Sequence, residues 1–429
     1  MRKHKTLITV VVLITAALAV CLVVAAVFSS LARRPKPGAF DDSDLIPTRI
    51  EVPVESNAFW TLLQATNELY WPKSLDHKLS DLSNNTNWDD SLAAEVLEKN
   101  HACLDWFDKS FQQPFLLVPE TKTFDEEYPY LSSWRDLSRV ESIQANALFR
   151  DHKEKEAFDL ALKIIKFSQR TENSGGPIIH YLVGSSIKTL GLLRIQQMTA
   201  QTTLPEADLM RIIRELDRLG PNKEGLTNAL KVEYQMQCKY LDDLAKGKTS
   251  ATNSGSERTM HSIGLKPFFS ATKTKMEFAQ SARIIRDGIG RPFGDIPWSD
   301  MPAVETNRSI LKRLIKGNAI GDILFELLGS SSKSFSTRKS REAVNVTATQ
   351  LLLALKIYQI RHNKLPESLS ELVPEFFPQI PLDDFDGKPF RYLPGKKLIY
   401  SVGPDLKDSG GEGFHKNPKD YDLPFQIEF

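Results

Sequence analysis

Residues 7–28 form an uncharged run of 22 apolar or small residues near the start of the chain. About 20 such residues, at 1.5 Å each, cross the hydrocarbon core of a bilayer. A cleaved signal peptide has an apolar stretch of only roughly 7–15 residues. The length therefore favours a retained transmembrane helix within residues 1–36. Two alternatives stay open: cleavage after residues 30–32, and lipidation of Cys21.

The next segment, residues 37–56, is rich in Pro and Asp and predicts an extended linker. From residue 57 to residue 330 the apolar residues recur at helical spacing, which predicts an α-helical domain. The segments 143–149 and 157–165 illustrate the pattern, because residues 151–153 join them as the turn of a helical hairpin.

Three further segments refine this helical domain. The apolar segment after Gly175-Gly176-Pro177 predicts the central core helix, because its apolar face is too wide for a surface helix. Thr203 and Glu206 have the spacing of a capping box at the start of the following helix. Residues 287–302 contain three glycines and three prolines and predict a non-helical but ordered loop that buries Phe293, Ile296 and Trp298.

A second pattern begins after the Gly- and Ser-rich residues 329–339. Apolar or small residues then alternate at spacings of four and three and predict a packed helical seam: Val344, Ala348, Leu351, Leu355 and Tyr358. Leu369 and Leu372 are expected to close one end of this core. Strands are predicted at 390–393 and 397–402, joined by a Pro394-Gly395 turn. The pattern predicts a small α+β domain over residues 336–429.

The same C-terminal region carries three sequence segments in a characteristic order: residues 363–366 (NKLP), 386–392 (DGKPFRY) and 400–405 (YSVGPD). With this order and spacing, residues 340–413 resemble the periplasmic domain of the major pseudopilins of type II secretion. The resemblance implies a small α+β fold outside the cytoplasm. The chain differs from pseudopilins because it lacks their Gly-Phe-Thr-Leu-x-Glu processing signal. The whole arrangement also resembles membrane-anchored envelope proteins of bacteria such as planctomycetes.

The acidic tail offers one candidate ion site. Asp405, Asp408 and Glu412 bring three carboxylates together beside Gly410 and Gly411, and calcium takes roughly six to eight oxygen ligands. Pseudopilins wrap a calcium ion with a similar tail, so the resemblance implies Ca²⁺ bound by Asp405 and Asp408, and more weakly by Glu412. The alternative is an acidic hairpin that its own backbone hydrogen bonds close.

Charge and motifs exclude several function classes. The chain carries a formal charge of +1 and residues 1–36 carry +6, which leaves −5 for the body. An acidic body lacks the net positive charge that is typical of proteins that bind nucleic acid. The sequence contains no zinc-protease, nucleophile-elbow, phosphate-loop or Cys-x-x-Cys motif. His152, His180 and His261 are isolated in sequence, which is typical of ordinary surface or core histidines.

We therefore expect a mainly α, single-pass protein of a bacterial inner membrane, with its body outside the cytoplasm. The expected function is that of a non-enzymatic envelope or secretion-associated interaction protein that has an envelope protein as partner. The alternative is a membrane-anchored hydrolase with its site at the 287–302 loop. Cys103 and Cys238 would either form a disulfide in such a compartment or remain two buried thiols on separate helices.

Overall fold

The computed structural model describes residues 38, 40–220, 222–247, 269–302, 318–329, 332–413 and 421–429. The predicted transmembrane segment, residues 7–28, lies outside these ranges. Within them no helix combines the length and the apolarity that crossing a bilayer requires.

The described chain is mainly helical with one small sheet, as predicted. Its helices are α1 (Phe59–Asn67), α2 (Asp76–Asn84), α3 (Asp90–Lys99), α4 (His101–Ser110), α5 (Pro129–Arg150), α6 (Glu154–Glu172), α7 (Ile178–Gln201), α8 (Glu206–Arg218), α9 (Lys223–Lys246), α10 (Ala271–Gly288), α11 (Ala319–Gly329) and α12 (Ser332–His362). The predicted hairpin is confirmed as α5 and α6, and His152 takes a left-handed conformation in its turn.

The body is built around the pair α6 and α7, which make the most extensive contact between helices. Two glycines of α7 allow this approach. A Cβ atom at Gly184 would lie 2.9 Å from the carbonyl oxygen of Ser168, and one at Gly191 would lie 2.9 Å from that of Ala161. Real Cβ atoms do not come so close to backbone oxygen atoms, so any other residue at these positions would push the two helices apart.

The capping box predicted at Thr203 and Glu206 is wrong. Helix α8 begins after Pro205 without a side-chain cap, because the side chain of Glu154 accepts hydrogen bonds from Thr203 Oγ1 and from the Thr203 backbone N–H. Glu206 instead pairs with Arg361 of α12. Contacts with residues distant in sequence thus replace the local cap.

The sheet contains β1 (Arg391–Leu393), β2 (Leu398–Ser401) and β3 (Leu423–Gln426) in the antiparallel order β1-β2-β3. The first two strands lie where the sequence predicts them. The third was not predicted, because Pro424 interrupts its apolar pattern. Proline is tolerated there because β3 is an edge strand, where a missing N–H breaks no interior hydrogen bond.

Helix α12 joins the body to the sheet through one continuous core. Leu351 and Leu355 are fully buried in a cluster that also contains Ile195 of α7, Leu209 of α8 and Ile399 of β2. Leu369 and Leu372 are buried in the same cluster. Apolar side chains surround the middle of α12, which is the pattern of a helix buried on all sides.

The segment predicted as an extended linker packs onto the body from Asp42 onward. Leu45 is fully buried against α9 and α10. Asp44 accepts hydrogen bonds from Arg283 at 2.7 Å and from Arg286 at 2.5 Å, and Tyr234 donates one to Asp42 at 2.7 Å. Residues 42–50 are called the strap below.

Leu355→Ala should destabilise the protein by about 2–5 kcal/mol, because truncating a fully buried leucine leaves a cavity at the junction of body and sheet. Denaturant unfolding of the purified chain measures this. Ile360→Ala is the matched control, since Ile360 lies on the same helix and is 46% exposed. Equal unfolding midpoints for the two variants would show that the packing of Leu355 contributes no more to stability than that of the exposed Ile360.

Candidate functional site

Four polar side chains meet in the interior between α6, α7 and α12. Lys188 Nζ lies 3.0 Å from Glu172 Oε2 and 2.6 Å from Glu342 Oε1. The hydroxyl of Tyr181 donates to Glu342 Oε2 at 2.9 Å. The side chains of Lys188 and Glu172 are 0% exposed and that of Glu342 is 1% exposed. This set is called the buried lysine cluster.

The charges of this cluster balance only if it holds an extra proton. One lysine faces two carboxylates, and burial followed by repulsion from Glu342 raises the pKa of Glu172 to about 8. Burial opposes the charge of Lys188, but Glu342 and Glu172 outweigh it and raise the pKa of that ammonium. At neutral pH Glu172 is therefore mostly protonated and the cluster is close to neutral.

The predicted ion ligands lie in a tail that hydrogen bonds already close. Asp408 Oδ1 accepts from the Tyr400 hydroxyl and from the Gly410 N–H, each at 3.0 Å. Asp405 Oδ1 accepts from the Lys407 N–H at 3.3 Å, whereas its Oδ2 is buried without a hydrogen-bond partner among the described residues. The carbonyl oxygen of Glu412 accepts from the Asp422 N–H at 3.0 Å.

Asp422 is a member of this tail that the sequence did not indicate. It is fully buried and accepts hydrogen bonds from the N–H groups of Ser409 and Gly411. Burial, and then the charges of Asp408 and Asp405, raise the pKa of Asp422. Across the part of the chain that the structure describes, no three His, Cys, Asp or Glu side chains are grouped as a metal site needs.

A second polar centre, around Asp383, holds together the described part of residues 336–429. This part of the chain is called the C-terminal unit below. This buried carboxylate accepts hydrogen bonds from Phe385 N–H, Ser401 Oγ and Val402 N–H at 3.0, 2.8 and 2.9 Å. Arg391 pairs with it at 3.0 Å. Burial raises the pKa of Asp383 more than these donors lower it. All of these partners belong to the C-terminal unit, so the arrangement serves its fold.

The 287–302 loop, the candidate site of the hydrolase alternative, is ordered as predicted. Phe293 and Ile296 are buried, and the N–H groups of Phe293 and Gly294 donate to the carbonyl oxygens of Asp384 and Phe385 at 2.8 Å. Lys339 of α12 binds both Asp384 and the carbonyl oxygen of Arg291, at 2.8 and 3.1 Å. The loop therefore fastens the body to the C-terminal unit.

Three further residues considered from the sequence, one histidine and two cysteines, are buried in defined environments. His180 Nε2 lies 2.8 Å from the Tyr130 hydroxyl, and burial lowers the pKa of His180 to about 4, so this histidine is neutral. Cys103 and Cys238 are separate buried thiols. Burial raises their pKa values to about 12 and about 11, which makes both poor nucleophiles.

Two clefts lie on either side of the strap, with volumes of about 470 and 420 Å³. Both are bordered by Thr48, Arg49, Gly175 and Asn228. Their volumes fall within the range of small-molecule sites. Sequence reasoning missed them because residues far apart in the chain form their walls.

Comparison with protein-family models, with curated proteins and with solved structures gives no match for this chain.

Lys188→Met should destabilise the protein by about 3–5 kcal/mol, because it leaves the carboxylate of Glu342 buried without its cation. Lys239→Met, which removes the exposed partner of Asp243, should cost no more than about 1 kcal/mol. Urea unfolding of both variants compares the two losses. A Lys188→Met variant as stable as the wild type would refute the assigned role of the cluster.

Glu172→Gln should change how stability depends on pH. The pKa of Glu172 rises from an ordinary 4.5 to about 8, so between these values the folded protein holds a proton that the unfolded chain releases. This group therefore makes stability fall as the pH rises from about 4.5 to about 8. Glutamine stays neutral, so the melting temperature of the variant relative to the wild type should rise from pH 5 to pH 8. A constant difference would contradict the assigned protonation.

Proposed function

We propose that this chain is a single-pass membrane protein with an extracytoplasmic body that acts as a non-enzymatic interaction protein of the bacterial envelope or its secretion machinery. The observation that carries the proposal is the packing of α12. This 31-residue helix shares one core with the body and with the sheet. A partner bound to the body and a partner bound near the sheet would therefore be held in a fixed relative position, as an adaptor requires.

The pseudopilin-like character of the C-terminal unit is part of this proposal. A long helix packed on a three-stranded antiparallel sheet agrees with the fold that the resemblance implies. The large helical body that packs on the same helix favours a docking role over assembly into a filament.

The hydrolase alternative has little support in the chemistry of the 287–302 loop. Two charged side chains that meet there, Lys339 and Asp384, bind each other, and Lys339 also binds the loop backbone. Burial raises the pKa of Asp384 despite the attraction of Lys339. Both groups thus serve to fasten the loop, which is the role expected of it in an interaction protein.

We also propose that the acidic tail binds calcium through Asp405 and Asp408, with Glu412 as a weaker ligand. The observation in favour is that Asp405 Oδ2 has no hydrogen-bond partner among the described residues, since a buried carboxylate oxygen needs a donor or a cation. Asp422 adds a nearby negative charge. Asp408 Oδ1 already accepts two hydrogen bonds, and these compete with a calcium ion for that oxygen.

The topology is tested by protease treatment of the full chain in its native bacterium. Protease should digest the body in spheroplasts while a cytoplasmic control protein stays intact, and the intact mass should retain residues 7–28. Protection of the body, or a mature start near Arg33, would contradict the anchored topology.

The interaction role is tested by purification from detergent-solubilised membranes. The full chain should co-purify with an envelope protein in a fixed ratio, and a Leu355→Ala variant that loosens the shared core should retain less of that partner. Turnover of ester or amide substrates without any stoichiometric partner would favour the hydrolase alternative.

Calcium binding is tested by thermal unfolding of the full chain with chelator and with millimolar calcium. A ligand at a hundredfold excess over its dissociation constant stabilises the folded state by about 2.7 kcal/mol, and Asp405→Ala with Asp408→Ala should remove that gain. Magnesium at the same concentration is the control. Equal melting temperatures with chelator and with calcium would leave these aspartates as turn-forming residues.

A further inference from the structure

We propose that the larger cleft beside the strap binds a small anion that carries a phosphate or carboxylate group. The cleft has a volume of about 470 Å³ and lies at the amino-terminal end of α9. It is bordered by the strap, by residues that follow α6, and by the first turns of α9. All residues that border the cleft lie outside the predicted transmembrane segment. A ligand would therefore bind whether or not the chain is attached to a membrane.

Charge is the first argument for an anion. Arg49, Lys223 and Lys231 border the cleft, against the single exposed acid Glu224. Among the described residues Lys223 and Lys231 form no ion pair. Glu172 also borders the cleft, but its side chain is buried against Lys188 and its pKa is raised. The exposed charge of the cleft is therefore positive.

The smaller cleft provides the contrast. Its lysines, Lys122 and Lys239, are paired with Glu120 at 3.1 Å and with Asp243. Both lysines there have acidic neighbours, although the two clefts have similar volumes, and Arg49 borders both clefts and so does not distinguish them. The larger cleft thus differs from the smaller one by two lysines that have no ion pair within 4 Å among the described residues.

Hydrogen-bond donors are the second argument. The first N–H groups of a helix have no partner within the helix and carry a partial positive charge. In α9 the Asn222 side chain accepts from the Gly225 N–H at 3.0 Å and so occupies one of these donors, whereas the two preceding N–H groups belong to Lys223 and Glu224, which border the cleft. Gly225 itself is required here, since a Cβ atom would lie 2.8 Å from the carbonyl oxygen of Glu172.

The carboxyl-terminal end of α6 also reaches the cleft, and its carbonyl groups would repel an anion. Two contacts cover them. Gly225 packs directly on the Glu172 carbonyl, and the Ser174 carbonyl accepts from the Val118 N–H at 2.9 Å. Arg49 is fixed near this point through its hydrogen bond to the Val118 carbonyl at 3.0 Å.

The test is isothermal titration of the full chain in detergent with inorganic phosphate and with citrate. At least one of the two should bind saturably, and the double variant Lys223→Met, Lys231→Met should weaken that binding at least tenfold. Lys122→Met with Lys239→Met is the matched control, because it removes two lysines from the smaller cleft and should leave the affinity unchanged.

Three outcomes would overturn the proposal. They are the absence of saturable binding by both probes, equal heat from sodium chloride at matched ionic strength, and an unchanged affinity in the Lys223→Met, Lys231→Met variant. Unchanged melting temperatures of both double variants without ligand would show that each still folds. If the cleft variant melts lower, Lys231→Gln alone provides the comparison, with the same tenfold criterion.

Discussion

Lys188 binds acidic side chains from two other helices in the interior of the protein, and the packing of α6, α7 and α12 depends on these contacts. A buried charge without a partner costs several kcal/mol, so the three helices must hold their relative positions to keep Lys188 Nζ 3.0 Å from Glu172 and 2.6 Å from Glu342. Gly184 makes the arrangement possible, because a Cβ atom there would lie 2.6 Å from Glu172 Cγ. The cluster therefore adds a polar constraint on the register of the three helices to that of their apolar packing.

The consequences of this constraint extend along α12. Glu342 lies in its first half, and Leu351 and Leu355 further on belong to the cluster that also contains residues of the body and of the sheet. Lys339, one turn before Glu342, fastens the 287–302 loop to Asp384. A single helix thus carries the buried charge, the loop attachment and the shared core, and its position determines how the C-terminal unit sits on the body.

Sequence patterns predicted the parts of this structure that local spacing determines. The α5–α6 hairpin, the α12 seam and the first two strands follow from apolar periodicity and turn residues. The docked strap could not be predicted, because Leu45 and Asp44 are placed by residues far away in the chain, and β3 was missed because Pro424 interrupts its apolar pattern. The capping box failed for the same reason, since Glu154 competes for Thr203.

The candidate sites divide in the same way, into residues that a local pattern indicates and residues that only the fold brings together. The tail carboxylates Asp405, Asp408 and Glu412 were predicted from a local motif, but Asp422, the residue before β3, lies beside them. The buried lysine cluster left one sequence signal: Lys188 is the single Lys, Arg, Asp or Glu residue between positions 178 and 193. A charge in such an apolar segment demands buried partners, but its spacing could not identify Glu172 and Glu342.

Native-state hydrogen exchange at neutral pH tests the central claim most directly. If the cluster and α12 unite the chain, amides of α7 in the body and of β2 in the sheet should exchange through one global opening with the same free energy. Their protection should also fall by the same amount in Lys188→Met. Exchange of β2 through a separate opening of lower free energy, unaffected by Lys188→Met, would contradict the account.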